Sequence, residues 1–202
     1  SSAIHLKRKS PSLKVLVLER GILPWGASTK NAGFGCFGSL GEILDDLQST
    51  SLDEVVRLIE KRNNGLNELI NLLGKDAIDF RLNGGFELFR PDQKQEYAAC
   101  LDRMDDLNHV LRKEFGGAVY SKEARDFGFE GVIGIIKNQY EGQVDTGKMM
   151  KAYLDLARRE GVTIINGAQV TQYNSTESGV ELEINDNLKI KTGKLVICSN
   201  GF

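Results

Sequence analysis

Two stretches of the chain carry residue types suited to holding a nucleotide-like ligand. The first is Lys14-Val15-Leu16-Val17-Leu18-Glu19-Arg20-Gly21, an apolar run closed by an acid and a glycine. A carboxylate at the end of such a strand can accept a hydrogen bond from a ribose hydroxyl. The second runs from Trp25 through Gly26, Ala27, Ser28, Thr29, Lys30, Asn31, Ala32, Gly33, Phe34, Gly35, Cys36 and Phe37 to Gly38, and is rich in glycine and small polar residues. Small side chains let a backbone approach a flat ligand closely, and free N–H groups at a helix N-terminus suit a phosphate or an electron-rich ring. Other chemistries find little support. Cys36, Cys100 and Cys198 never form a C-x-x-C pair, and His5 and His109 are the only histidines, which argues against a zinc or histidine-based metal site. Cys36 and His109 read as packing or surface residues.

The elements that must position these residues follow from pattern. Residues 1–9 read as the back half of an amphipathic helix with Ala3, Ile4 and Leu6 inward, ended by Ser10-Pro11-Ser12. The β-branched run that follows predicts a parallel strand buried on both faces. Helix, tight connection, strand and terminal acid form the second half of a dinucleotide-binding βαβ unit, in which the acid lies about 20 residues beyond a glycine-rich phosphate loop. Counting back from Glu19 reaches Ser1 or earlier, so the expectation is a fragment of a longer protein.

Ser51-Leu52-Asp53-Glu54 has capping-box form and opens a long helix ended by Gly74; Asn63-Asn64-Gly65 weakens its middle. Residues 79–82 and 86–89 flank Asn83-Gly84-Gly85, a hairpin signal. Pro91 opens another helix running to about Phe115, residues 121–126 suggest one further turn, and residues 132–136 a strand. Residues 173–179 read as a polar loop before an alternating antiparallel pair. The predicted class is α/β (α+β mixed). Residues 1–50 and 141–202 make an incomplete, discontinuous ligand-binding domain, and residues 51–140 an inserted α+β domain.

The pair "VLVLERG" and "WGASTKNAGFG" resembles the FAD-dependent amine oxidases of the D-amino-acid oxidase family, which includes glycine oxidase-like and sarcosine oxidase-like enzymes. "GQVDTGKMMKAYLDLARREGVTIINGAQV" is similar to that family's loop, helix and strand leading to the adenine, with Thr146 where proline is more usual. "VELEI" and "LKIKTGKLVICSNGF" resemble its β-meander and return strand. The resemblance implies a Rossmann-like FAD domain with an inserted substrate or cap domain, and FAD as cofactor. It places Glu19 at the adenosine ribose beside Arg20, and Ala27, Ser28, Thr29, Asn31, Gly33 and Gly35 along the pyrophosphate and flavin ring. Val170 falls toward the adenine, and Ser199, Asn200 and Gly201 at the end of the return strand. Thr29, Lys30 and Ala32 depart from the family, where Gly, Arg and Gly are frequent.

Composition sets the class of partner. The 202 residues are 41% hydrophobic and 27% charged with a net charge of −2, so no global field draws in nucleic acid or an anionic membrane. The apolar runs are far shorter than the roughly 20 residues a membrane-spanning helix needs. Sparse, odd cysteines suit a cytoplasmic protein. The resemblance implies oxidation of a C–N bond of a small amine or amino acid by hydride transfer to flavin. Arg81, Arg90, Tyr97, Tyr120 and Tyr140 are candidate contacts to a substrate carboxylate. The alternatives are a fragment of an NAD-dependent dehydrogenase, whose ribose Glu19 would serve equally, and a cofactor-free interaction module. A strand flank left without its neighbour would also favour self-association.

Overall fold

The pattern Ser-x-x-Glu occurs at Ser39 and again at Ser51, and both copies close as full capping boxes. Each serine hydroxyl accepts the N–H of the glutamate three residues on, and each glutamate carboxylate accepts the N–H of its serine. These local signals start two of the five helices in the computed structural model, which describes residues 1–199. In chain order the elements are α1 (Ser2–Lys9), β1 (Leu16–Glu19), β2 (Phe34–Gly35), α2 (Leu40–Asp46), α3 (Leu52–Leu73), β3 (Gly85–Phe89), α4 (Lys94–Phe115), β4 (Tyr120–Glu123), β5 (Gly134–Asn138), β6 (Gly142–Gln143), α5 (Thr146–Arg159), β7 (Thr163–Asn166), β8 (Val170–Thr176), β9 (Gly179–Ile184) and β10 (Leu188–Thr192). A single 3₁₀ turn at Pro91–Gln93 leads into α4. The architecture mixes helices and strands, as the sequence predicts. α3 runs unbroken through Gly65, whose cost of about 1 kcal/mol relative to alanine is offset by burial of Val55 and Ile59.

The chain divides into two compact units, Ser1–Lys30 with Met150 onward, and Asn31–Met149. In the first, β1 and β7 pair in parallel, Leu16 opposite Thr163 through Glu19 opposite Asn166. α1 buries Ile4, and α5 buries Leu156 and Ala157. The direction of β1 is as predicted, but its burial is not. Among the described residues it has one strand neighbour, and Leu16 is 43% exposed. β8, β9 and β10 form an antiparallel meander. Its first strand takes in Tyr173 to Thr176, which the sequence assigns to a loop; only Glu177 and Ser178 turn. Exposed Thr and Ser side chains are compatible with an outer strand, so polarity alone misplaces the turn. Residues 195–198, the expected return strand, form no strand, and Val196 and Ile197 are exposed.

In the second unit β5 is the middle strand of an antiparallel sheet, between β3 and β4. One face packs on α2, α3 and α4 around Phe37, Leu40, Ile43, Ile59, Leu107 and Ile136. Leu40 and Ile43 join this core, which is why α2 belongs to this unit. Two local expectations are corrected here. Residues 79–82 and 86–89 do not form a hairpin: β3 pairs with β5, while Arg81 bridges Gln143. The β-branched Ile135-Ile136 offers β3 an apolar partner that Asp79 to Leu82 cannot. Residues 121–126 form no extra helical turn, because Tyr120 to Glu123 pair with the other edge of β5.

Candidate cofactor site

The parallel register carries Glu19 to the carboxyl end of β1, where its side chain meets the next turn. Glu19 Oε1 accepts the Gly21 N–H at 2.8 Å, which aims a half-buried carboxylate beyond the strand. A side chain at Gly21 would press on Leu23 O and on that carboxylate, so glycine fits the turn. The Glu19 carbonyl accepts the Ala168 N–H at 2.9 Å, and the Gly21 carbonyl the Gly167 N–H at 3.0 Å. The structure thus brings Glu19 together with the segment leading to Val170, the first residue of β8. Arg20 is exposed.

Residues 22–30 form no regular element. The Thr29 hydroxyl donates to Pro24 O at 2.7 Å or Gly26 O at 3.0 Å, folding a turn whose Ala27 and Ser28 face solvent. Ile22, Leu23 and Trp25 are exposed apolar side chains on this same stretch, Ile22 at 76%. A half-buried carboxylate acceptor beside exposed apolar surface suits the ribose and the flat rings of a dinucleotide, so these residues fit the adenosine side of FAD. Ser199 is exposed; Asn200 and Gly201 lie outside the described residues.

Asn31, Gly33 and Gly35 belong to the second unit. Asn31 Oδ1 accepts the Gly33 N–H at 2.9 Å, the short side-chain loop that asparagine favours. Gly33 is buried at φ +77, and a Cβ there would run into the Val144 carbonyl oxygen; its own carbonyl accepts the Val144 N–H at 2.8 Å. Gly35 pairs with Gly142, with Leu66 and Phe80 close against it. The close approach that these glycines permit is therefore to the chain itself.

Beyond them lies a buried polar network that sequence reasoning missed. Glu141 Oε1 accepts the N–H groups of Phe37 and Gly38 at 2.9 and 3.0 Å. The Gly38 carbonyl in turn accepts the Tyr120 hydroxyl at 2.9 Å. Burial, and then the nearby Glu141, push the Tyr120 phenol far above its ordinary range. Asn108 ties α4 to β4, accepting the N–H groups of Val119 and Tyr120 and donating to the Tyr120 carbonyl. No local pattern announces these partners, which lie 11 to 104 residues apart.

The five candidates for a substrate carboxylate do not converge. Tyr120 is committed to Gly38, and the Tyr140 hydroxyl donates to Phe115 O. Arg81 is paired with Asp79, which Lys148 also contacts; hydrogen bonds from Lys148 and Arg81 hold the Asp79 carboxyl below its usual range. Arg90 meets Asp92 in full solvent. Tyr97 stacks on Phe89 at 5.0 Å, its hydroxyl buried without a hydrogen-bond partner among the described residues. His109 is exposed, and no group of acidic, histidine or cysteine side chains among the described residues could hold a metal. No described helix is long and apolar enough to cross a membrane.

Among solved structures, the fold is similar to glycine oxidase from Geobacillus kaustophilus, at 20% identity and TM-score 0.64, covering 95% of this chain and 50% of that one. It is similar also to iminodiacetate oxidase from Chelativorans sp. BNC1, at 17% identity and TM-score 0.63 over 95% and 49%. L-amino acid deaminase from Proteus myxofaciens matches at 14% identity and TM-score 0.63, over 95% and 41%. The chain thus spans about half the length of these proteins, or less. No curated protein sequence matches it. The family described as FAD dependent oxidoreductase, DAO, matches residues 1–202. With Glu19 at the strand end and the family pattern running its whole length, the chain belongs to the DAO family of FAD dependent oxidoreductases.

Proposed function

We propose that these residues form part of a longer flavoenzyme that oxidises a C–N bond of a small amine or amino acid. The observation that carries the reading is the Glu19 carboxylate, fixed by the Gly21 N–H at the end of a parallel strand inside a chain matched throughout by the family. The solved structures most similar in fold include oxidases of glycine and iminodiacetate. Bound FAD would supply the two-electron oxidant that takes hydride from the substrate carbon. Glu19 accepts a ribose hydroxyl, with Arg20 beside it. The turn bearing Ala27, Ser28 and Thr29 borders the pyrophosphate. Val170 borders the adenine, and Ser199, Asn200 and Gly201 complete the cofactor side. The unit of Ser1–Lys30 with Met150 onward serves the cofactor, and within Asn31–Met149 residues 51–140 serve the substrate. Cysteines free of disulfides suit the cytoplasm.

The test is flavin absorbance of the purified protein, with FAD titrated calorimetrically into flavin-free material. Yellow protein, or saturable FAD binding, supports the reading. Binding of NAD in preference to FAD would assign a dehydrogenase, and binding of neither would leave an interaction module.

A further inference from the structure

α3 carries a glycine that its own unit does not call for. Gly65 lies near the middle of the helix, where a residue without a side chain weakens the backbone. Its backbone is helical, and beyond the adjoining helix backbone no described atom stands within 4 Å of where its Cβ would be. Neither a turn nor a packed neighbour accounts for it. What a glycine on an exposed helix face does permit is the close approach of a second backbone.

Gly65 lines a shallow hollow of about 640 Å³ along α3, together with Arg57, Glu60, Lys61, Asn64 and Glu68. The other side of the helix is already committed, with Val55 and Ile59 buried and Arg62 donating to Phe37 O at 2.9 Å. The lining positions are arranged symmetrically about the midpoint of α3, between Arg62 and Asn63. A second α3 laid antiparallel across that point therefore meets the first along its whole length. Arg57 comes opposite Glu68 of the second copy, Lys61 opposite Asn64, and Glu60 opposite Gly65, and each contact occurs twice. Unlike charges meet at both ends, and the patch is neutral, Arg57 and Lys61 balancing Glu60 and Glu68. The stem of Glu60 enters the space that the glycine leaves. A parallel arrangement would instead set Arg57 against Arg57 and Glu68 against Glu68.

We propose that this face of α3 binds a second copy of the chain, antiparallel about a two-fold axis through the helix midpoint. The pairing does not depend on the flavoenzyme reading. One helix pair with exposed ion pairs is a small interface, so the dimer dissociates on dilution and weakens in high salt.

The experiment is sedimentation equilibrium of residues 1–202 bearing Leu16→Lys, which keeps the free edge of β1 out of the association. The expected result is a reversible monomer–dimer equilibrium. Gly65→Leu should weaken the dimer at least tenfold while raising the Tm of the monomer, since leucine is the better helix former. Arg57→Glu and Glu68→Arg should each weaken it at least fivefold, and the two together should restore it to within twofold. A monomer at every concentration, or a dimer indifferent to Gly65→Leu, would overturn the proposal. So would a double variant no better than the single ones. A Tm lowered by Gly65→Leu would show the hollow to be filled within one chain, and would overturn it too.

Discussion

The Glu141 carboxylate accepts the Gly38 N–H at 3.0 Å, joining residues 103 positions apart in the interior of the second unit. The same oxygen accepts the Phe37 N–H, so a single side chain satisfies two buried backbone donors at the entrance to α2. An unsatisfied buried donor costs about 1–3 kcal/mol. Glu141→Ala should therefore lower unfolding free energy by about 2–5 kcal/mol, read by urea denaturation. Glu141→Gln keeps an acceptor oxygen and should lose less. Equal losses in the two variants would show that a neutral amide of the same bulk cannot replace the carboxylate as acceptor.

Gly33 makes a second test. Its φ of +77 and the Val144 carbonyl beside it leave no room for a side chain. Gly33→Ala should cost at least about 1–2 kcal/mol, the penalty of a left-handed backbone, before any steric clash is added. The loss should be seen in thermal unfolding of flavin-free protein. A variant that keeps its Tm and loses only flavin would move the glycine's role from the chain's own packing to the ligand.

Glu19 is the complementary case. Replacing it with alanine removes one charge-assisted hydrogen bond to a ribose, so FAD affinity should fall by about 1–3 kcal/mol. The Gly21 N–H that Glu19 accepts is part-buried beside solvent, so the Tm should move little. Unchanged FAD affinity by calorimetry would remove Glu19 from the cofactor.

Glu87 ties the pH dependence of stability to the N-terminus of α2. Burial raises its carboxyl above the usual range, and the Gly41 N–H, which it accepts at 3.0 Å, only partly opposes this. A carboxyl whose folded pKa lies above its unfolded value binds more protons in the folded state. The stability it contributes is full below about pH 4.3 and is lost as pH rises through the folded pKa. The advantage of wild type over Glu87→Gln in chemical denaturation should accordingly shrink as pH is raised from 4 toward 7. A growing advantage would reverse the sign.

Glu123 runs the other way. Hydrogen bonds from Arg125 lower its carboxyl to about 2, so it should stay ionised well into acid, with its contribution lost only as pH falls toward that value. A carbon-13 NMR titration of Glu123 checks this, and a midpoint near 4 would mean that the Arg125 contact does not persist in solution.

The free flank of β1 predicts association. β7 is its one strand neighbour among the described residues, and Leu16 stands 43% exposed beside unpaired backbone groups. Residues 1–202 alone should form concentration-dependent oligomers in sedimentation, and Leu16→Lys should reduce them by placing a charge on the edge. A monodisperse wild-type monomer across the micromolar range would count against it.

The features legible in the sequence are those whose cause lies within a few residues. Both capping boxes are serine–glutamate pairs three positions apart, and Gly74 and Gly116 end α3 and α4. The run from Val15 to Glu19 reads as a parallel strand ending in an acid because its apolar and β-branched residues are consecutive, and β1 pairs in parallel, although not buried on both faces. What tertiary structure alone decided involves partners far apart in the chain. Asn83-Gly84-Gly85 looks like a hairpin turn, yet β3 finds Ile135 and Ile136 some fifty residues on, since a better apolar partner outweighs a nearer one. Residues 120–123 have no strong pattern of their own and become a strand only because the edge of β5 is there to pair with. The placing of Glu141 under Gly38, of Val144 against Gly33 and of Lys137 over Phe86 follows from the same cause. Side-chain chemistry can be read one residue at a time, but which donor, carbonyl or ring each side chain meets is fixed only when distant strands choose their register.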